Sequence, residues 1–218
     1  MQASHTAGDG ARRAVPLAVA VGVFGVTFGV LAQAAGFGAL AAIVFSATSF
    51  AGSAQFAAAG VVSAGGTVVA AIVAAVLLNA RYLPIGMSVA PALHGRAPER
   101  LLRAQLVVDE SWALSHLGGG RYDRRLLFGA GLAIYLAWVA GTTAGVLGGD
   151  LLGKPENLGL DAAFPALFLA LLVGQIHDRR GATAAVLGAL VALVFVPFVP
   201  AGLPIVAASF VCLLGLRR

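Results

Sequence analysis

The segment from Ser46 to Phe56 reads S-A-T-S-F-A-G-S-A-Q-F and gathers hydroxyl and amide side chains around Gly52. It lies inside an apolar run from Phe37 to Val62, and an unpaired hydroxyl or amide is costly in hydrocarbon, so these groups must face protein, water or a ligand. A helix that breaks at Gly52 would direct the free N–H groups of a half-helix starting near Ser53 at a carboxylate. We therefore predict a substrate site formed by Ser49, Gly52, Ser53 and Gln55. The alternative is hydrogen bonding between helices for packing alone.

Asn79 and Arg81 form the next polar pair, near the end of an apolar run from Gly66 to Leu83. Pro84 favours a helix end or kink just before it, so we expect Arg81 near a helix end and not at the centre of a bilayer crossing. Its guanidinium could pair with a substrate carboxylate, and we predict that both residues bind substrate. The alternative is that Arg81 extends to the cytoplasmic face, as arginines at helix ends often do.

Asp109 and Glu110 are adjacent carboxylates beside apolar sequence. Acidic groups in such places often carry protons in transporters, so both are candidates for proton coupling; a solvated interfacial helix is the alternative. A membrane-embedded enzyme using them together with His116 is a further hypothesis. However, the histidines lack metal-ligand spacing, and no P-loop, nucleophile motif or dinucleotide fingerprint is present. We therefore predict no enzyme activity, no cofactor and no metal.

The overall composition sets the class of protein. The chain has 218 residues, of which 60% are hydrophobic and 11% charged, and its mean hydropathy is +0.94. Several apolar runs reach the roughly 20 residues that a bilayer crossing takes. We predict an all-α, polytopic integral membrane protein with a single transmembrane domain over 1–218, in which residues 1–13 are a cytoplasmic tail.

The net charge of +5 could suggest that the chain binds nucleic acid, but the basic residues cluster in short loops, as the positive-inside rule expects. The expected partner is the lipid bilayer, with no nucleic acid.

The charged loops constrain how many segments cross the membrane. If Arg12, Arg13 and Arg96 are all inside, an even number of crossings must separate them, yet three apolar runs lie between. Either the stretch from Ser46 to Phe56 is re-entrant, which gives about six crossings, or Ala104 to Leu117 crosses as well, which gives about eight. We favour the first arrangement because it keeps the Arg96 loop inside. In both arrangements the N- and C-termini are cytoplasmic.

Small residues mark the first predicted helix, from about Ala14 to Ala35. Gly22, Gly25 and Gly29 lie along it, two of them in G-x-x-x-G spacing, which lets another helix approach closely. That helix could belong to this chain or to a second subunit. Sequence alone leaves both possibilities open.

The chain also contains a candidate internal repeat. A shift of 150 residues lays Gly38–Phe45 over Gly188–Phe195, and the Ala51-Gly52 pair then falls on Ala201-Gly202. A second helix break is expected between Pro197 and Gly202. Inverted repeats with paired broken helices are the architecture of many secondary transporters.

Several of these motifs together resemble a known family. They are Pro16 ahead of Phe28-Gly29, G-F at Gly36, S-F-A-G-S-A-Q-F at Ser49, N-A-R-Y at Asn79, D-E-S-W-A at Asp109 and F-P-A-L-F at Phe164. This set is similar to the AzlC/YgaZ family, and the resemblance covers nearly the whole chain.

The resemblance implies a function and a partner. Members are the large subunit of branched-chain amino acid exporters, which work with a small, separately encoded AzlD/YgaH-type membrane protein in the plasma membrane. Export of valine, leucine, isoleucine or their analogues, coupled to the ion gradient, is what the resemblance implies. It transfers no catalytic residues, so the predicted site rests on the polar segments themselves. A non-transporting membrane scaffold or channel subunit is the alternative.

Overall fold

The computed structural model describes residues 5–149, 169, 172–173, 176, 178–199 and 203–211 of the chain. Within these ranges the secondary structure is helical, with no β-strand. The helices are α1 Ala7–Ala34, α2 Ala39–Ser49, α3 Gly52–Ser63, α4 Val68–Asn79, α5 Tyr82–Val89, a 3-10 turn at Ala90–Ala92, α6 Ala97–Ala104, α7 Asp109–Ser115, α8 Arg124–Gly148, α9 Arg179–Phe195 and α10 Leu203–Ser209. The predicted all-helical class is confirmed over this part of the chain.

Two helices of the described ranges, α1 and α8, are long and apolar enough to cross a membrane. A third candidate is α4 continued through α5 to Ala92, a pair bent by 44° at the break between its helices. Two further apolar segments of the sequence, 162–176 and 201–216, lie largely outside the described residues. The membrane character is therefore supported, whereas a total of six to eight crossings stays a prediction.

The first helix begins earlier than the sequence pattern suggested. Thr6 accepts a hydrogen bond from the Asp9 backbone N–H at 3.2 Å, and the Asp9 carboxylate accepts one from the Thr6 N–H at 2.8 Å. This reciprocal capping box satisfies two N–H groups at the helix start, so α1 begins at Ala7 and not near Ala14. The expected cytoplasmic tail of residues 1–13 is therefore helical from Ala7 onward.

The extensive packing of α1 against α8 forms the centre of the described fold. A Cβ at Gly25 would lie 2.6 Å from the Trp138 carbonyl oxygen, and one at Gly29 would overlap the backbone of α8 as well. Gly141 and Gly145 on α8 are equally close to the α1 backbone. The glycines thus allow two helices of the same chain to touch, which is the first of the two possibilities left open by the sequence.

The predicted break in the polar stretch is present, but it is centred one residue before Gly52. Helix α2 ends at Ser49 and α3 begins at Gly52, with Phe50 in the left-handed region at φ 38° and ψ 51°. Phe50 is the one non-glycine residue with positive φ in the described ranges. The chain therefore changes direction at Phe50 and Ala51, and Gly52 opens the second half-helix.

A second break separates α4 from α5. Helix α4 ends at Asn79, and α5 begins at Tyr82, so Arg81 lies in the interruption as the sequence predicted. Pro84 falls in the first turn of α5, where its missing N–H would have no helical partner in any case. The proline therefore marks the start of a new helix.

The candidate repeat is only partly visible. Helix α9 ends at Phe195 and α10 begins at Leu203, so an interruption follows the repeated segment. Part of the expected break, at 200–202, lies outside the described residues, and the inverted repeat stays a prediction.

Candidate functional site

The two helix breaks meet at Arg81. Its Nη2 donates a hydrogen bond to Ser53 Oγ at 3.0 Å and lies 3.0 Å from Asp109 Oδ2. The guanidinium therefore points at the start of α3 and at α7. This arrangement disfavours the alternative in which Arg81 extends away to a membrane face.

Asp109 and Glu110 are positioned by the cap and the packing of α7. The Ser111 hydroxyl accepts a hydrogen bond from the Val108 N–H at 3.0 Å, which fixes the start of this helix. Trp112 Nε1 then donates to Ser88 Oγ at 2.9 Å and ties α7 to α5. Both carboxylates therefore stand at the α7 N-terminus, beside the Arg81 break.

A cavity of about 240 Å³, here called the first cavity, opens at this junction. Its polar lining comes from the start of α3, the second break and the start of α7: Gly52, Ser53, Arg81, Asp109 and Glu110. The remaining lining is apolar or aromatic: Leu17, Ala20, Val21, Phe24, Phe50, Phe56, Tyr82, Val108, Ile134 and Trp138. A small zwitterion with an aliphatic side chain matches this combination of charge and apolar wall.

The first cavity has a positive pole and a negative pole. Ala51 has no side-chain group with which to cap α3, so no side-chain cap occupies the first N–H groups of this helix, and they can donate hydrogen bonds to an anion. They add their partial positive charge to that of Arg81. Asp109, in contact with Arg81, supplies the opposing negative charge. Such a pair of poles could hold the carboxylate and the ammonium group of one amino acid.

Glu110 lies outside the candidate membrane spans and is half-buried. Burial raises the pKa of its carboxyl above the ordinary value of 4.5, and the nearby Asp109 charge raises it further, whereas its backbone hydrogen bond and Arg81 lower it. A carboxyl with a raised pKa takes up a proton closer to neutral pH. The predicted proton coupling by Glu110 stays a prediction.

Gln55, predicted to bind substrate, is fully buried and lines neither cavity described here. Its Oε1 accepts from the Ala51 N–H and from Trp138 Nε1, both at 3.2 Å, and its Nε2 donates to Ser46 Oγ at 3.1 Å. Ser46 in turn bonds Thr142 Oγ1 at 2.8 Å. The Ala51 N–H and the Trp138 indole N–H can only donate, so the amide oxygen of Gln55, and not its nitrogen, must face them. Gln55 holds the break in place against α8.

Ser49 and Asn79 line a second cavity, of about 230 Å³. The other lining residues are Phe50, Ala51, Tyr82, Gly86, Leu93, Ala104, Gln105 and Val107. The predicted site residues are thus divided between two cavities, and Phe50 and Tyr82 line both. Within the part of the chain that the structure describes, the Tyr82 phenol is the one ionisable group that lines this second cavity.

Two residues that the sequence reasoning did not single out complete the first break. Tyr135 donates its hydroxyl to the Ala47 carbonyl at 2.9 Å, and Gln105 Nε2 donates to the Thr48 carbonyl at 2.8 Å. The end of α2 leaves carbonyl oxygens without helical partners, so some donor had to be expected. Nothing in the local sequence indicates which distant residue provides it.

No group of three or more His, Cys, Asp or Glu side chains that could hold a metal ion occurs within the described ranges. Arg81, Asp109 and Glu110 are the charged groups that line the first cavity, whereas the described lining of the second cavity is polar and apolar.

Comparison with known proteins agrees with the resemblance seen in the motifs. An uncharacterized membrane protein of Archaeoglobus fulgidus is 36% identical over 171 residues, which is 78% of this chain and 75% of the relative. The inner membrane protein YgaZ of Escherichia coli is 27% identical over 202 residues, 86% of this chain and 81% of its own. The branched-chain amino acid transport protein AzlC of Bacillus subtilis is 27% identical over 164 residues, 74% of this chain and 64% of its own. No solved structure gives a significant match.

The family model described as AzlC protein matches residues 16–152, a segment that contains both helix breaks and the α7 carboxylates. The predicted family is therefore confirmed, and this chain belongs to the AzlC protein family, a family of transport-related membrane proteins.

Proposed function

We propose that this chain is the large subunit of a secondary transporter that exports branched-chain amino acids, such as valine, across the plasma membrane by alternating access. The observation that carries the proposal is the meeting of two helix breaks at a cavity with charged poles and apolar walls. The printed name of the Bacillus subtilis relative supports the transport of branched-chain amino acids.

The substrate would insert into the contact between Arg81 and Asp109. Its carboxylate would accept from Arg81, from the Ser53 hydroxyl and from the first N–H groups of α3. Its ammonium group would face Asp109, whose side chain is 42% exposed and therefore accessible. The aliphatic side chain would pack against the apolar wall. A zwitterion thus replaces one ion pair by two charge-assisted contacts, so no charge is left unpaired.

Glu110 would couple the transport cycle to protons. Asp109 would hold the ammonium group, and Glu110 would act on the substrate carboxylate, which is less strongly repelled when Glu110 is neutral. When it ionises, repulsion favours release. The raised pKa supports this exchange because the proton is then available closer to neutral pH.

The two breaks would act as hinges. A break in a helix concentrates the change of backbone angles in a few residues, here 50–51 and 80–81. Helices α3 and α5 could then tilt while the α1–α8 pair stays fixed, which exposes the cavity to one side at a time.

A small AzlD/YgaH-type membrane protein would be the second subunit, and both termini of the large subunit would be cytoplasmic. The positive-inside rule supports that orientation, because Arg12 and Arg13 at one end and Arg217 and Arg218 at the other are basic.

Valine efflux from proteoliposomes, prepared with and without the small subunit, tests the proposal. Arg81→Gln and Ser53→Ala should each lower both efflux and valine affinity. Arg121→Gln is the matched control, because Arg121 is exposed and lines neither cavity. Helix content and melting temperature show whether each variant is folded. Unchanged efflux and affinity in folded Arg81→Gln would refute this site, and absence of efflux under every condition would favour the scaffold alternative.

A further inference from the structure

The first helix break presents opposite ends of two half-helices to two different cavities. Gly52 and Ser53, at the N-terminus of α3, line the first cavity, whereas Ser49, at the C-terminus of α2, lines the second. A helix N-terminus carries partial positive charge and a C-terminus partial negative charge. The second cavity therefore lies at the negative end of a half-helix.

The second cavity also contains an acceptor without a donor. Asn79 Oδ1 is buried and has no hydrogen-bond partner among the described residues. A buried acceptor left unpaired costs free energy, and Asn79 lines the second cavity, so a rotation of its side chain would offer this oxygen to a ligand that donates or carries positive charge. Ser49 lines the same cavity and has a second oxygen in its hydroxyl.

Gln105 adds to this acceptor-rich lining. Its Nε2 is directed at the carbonyl oxygens of Ala47 and Thr48, at 3.5 and 2.8 Å, which leaves the amide oxygen as the acceptor of that side chain. The polar part of the lining thus comes from the neutral side chains of Ser49, Asn79 and Gln105, together with the Tyr82 phenol, at the C-terminal end of α2.

Aromatic rings and the absence of carboxylates restrict the charge of the ligand. Phe50 and Tyr82 line the cavity, and ring faces attract cations. Among the described residues no carboxylate lines it, and divalent cations bind mainly through carboxylate oxygens. Arg81 Cζ lies 5.3 Å from the centroid of the Tyr82 ring, but the Arg81 charge is paired with Asp109, because Nη2 and Oδ2 are 3.0 Å apart. A monovalent cationic group fits these conditions.

We propose that the second cavity is a binding site for a monovalent cationic group, either an alkali-metal ion or the ammonium group of an amine, with Asn79 Oδ1 and Ser49 Oγ as ligands. This site is separate from the carboxylate-binding pole at Arg81. It does not depend on amino acid export, because the acceptors are present whatever the first cavity binds.

Thermal unfolding of the purified full chain in detergent tests the site, at constant ionic strength set with N-methylglucamine chloride. NaCl, KCl or isobutylammonium chloride replaces that salt in separate arms. The binding cation should raise the melting temperature by about 3 °C at roughly ten times its dissociation constant. Asn79→Leu should abolish the rise, Ser49→Ala should reduce it, and Asn79→Asp should increase it by adding a negative charge.

Matched substitutions outside the cavity serve as controls. Gln33→Leu removes an amide from α1, and Ser63→Ala removes an exposed hydroxyl from the end of α3; both should keep the rise. A rise with Na⁺ or K⁺ that depends on Asn79 identifies an alkali-ion site. A rise with isobutylammonium alone identifies an ammonium site. The proposal is wrong if none of the three salts raises the melting temperature. It is also wrong if the rise is not increased by Asn79→Asp and reduced by Ser49→Ala.

Isovalerate, which has a carboxylate but no amine, separates this proposal from the proposed function. Its binding should depend on Arg81 and be unaffected by Ser49→Ala. If the protein binds the cation but neither isovalerate nor valine, the site in the first cavity is refuted. If it binds isovalerate and valine but no cation, the site in the second cavity is refuted.

Discussion

Arg81 Nη2 and Ser53 Oγ lie 3.0 Å apart, and this hydrogen bond between residues 28 positions apart in the chain joins the two helix breaks. The same nitrogen contacts Asp109 at 3.0 Å, so one guanidinium connects α3, the second break and α7. This connection gives the first cavity its charge pattern. Because all three residues border an interruption or a helix start, small movements of either break would change the distances between them.

Arg81→Lys tests whether the planar guanidinium is needed. Lysine keeps the charge but cannot hold two partners in a fixed fork, so affinity for isovalerate should fall about tenfold, the factor that ~1.4 kcal/mol produces. Asp109→Asn should act in the opposite direction, because it frees Arg81 from its competing carboxylate. Equilibrium binding at constant pH measures both. Equal affinity of Arg81→Lys and the unchanged chain would show that charge alone suffices.

Gln55→Met tests the network that holds the first break. Methionine has a similar shape but leaves the Ala51 N–H and the Trp138 indole N–H without an acceptor, and a buried unpaired donor costs about 1–3 kcal/mol. The free energy of unfolding should therefore fall by about 2 kcal/mol. Gln33→Met is the control and should change it little. A Gln55→Met variant as stable as that control would mean that water replaces the lost acceptor.

The sequence was sufficient to find the interruptions but not their partners. Polar side chains around Gly52 and the position of Pro84 indicated both breaks, because local patterns determine where a helix can continue. The role of Gln55 could not be predicted, since its acceptor oxygen is fixed by Trp138, 83 residues away. The division of Ser49 and Ser53 between two cavities likewise follows from tertiary packing. The early start of α1 was missed because Thr6 and Asp9 look like part of a polar tail.

Phe50→Gly and Phe50→Ala compare the backbone cost at the first break. Both remove the Phe50 ring, which packs edge-on against the Tyr135 ring with 5.1 Å between the ring centroids, so both should lower the free energy of unfolding. Alanine must still adopt the left-handed conformation, whereas glycine adopts it freely. The glycine variant should therefore be more stable by about 1 kcal/mol. Unfolding in mixed detergent micelles measures the difference, and an alanine variant that is the more stable one would contradict the assigned backbone.

Glu110→Gln tests the proton carrier. The pKa of Glu110 is raised above its ordinary value of 4.5, mainly by burial, and valine affinity should fall as pH rises through this raised pKa. Glutamine stays neutral, so the variant should keep the low-pH affinity across the whole range. Valine binding measured between about pH 5 and 8, where the ligand carboxylate stays ionised, gives the profile. Glu99→Gln, on exposed α6, is the control and should titrate like the unchanged chain. A pH profile that survives Glu110→Gln would assign the proton to another group.

Gly25→Ala tests the packing of α1 on α8. The added Cβ would lie 2.6 Å from the Trp138 carbonyl oxygen, closer than any real contact, so the two backbones would have to separate. Such overpacking typically costs about 1–3 kcal/mol of the free energy of unfolding. Gly22→Ala, one turn earlier in the same helix, is the control, because its Cβ would meet the nearest atom at 3.5 Å, an ordinary contact. The control should be neutral or slightly stabilising, since alanine favours the helix. Because Trp138 also lines the first cavity, Gly25→Ala should weaken valine binding as well, and equal stability of the two variants would refute the close approach of these helices.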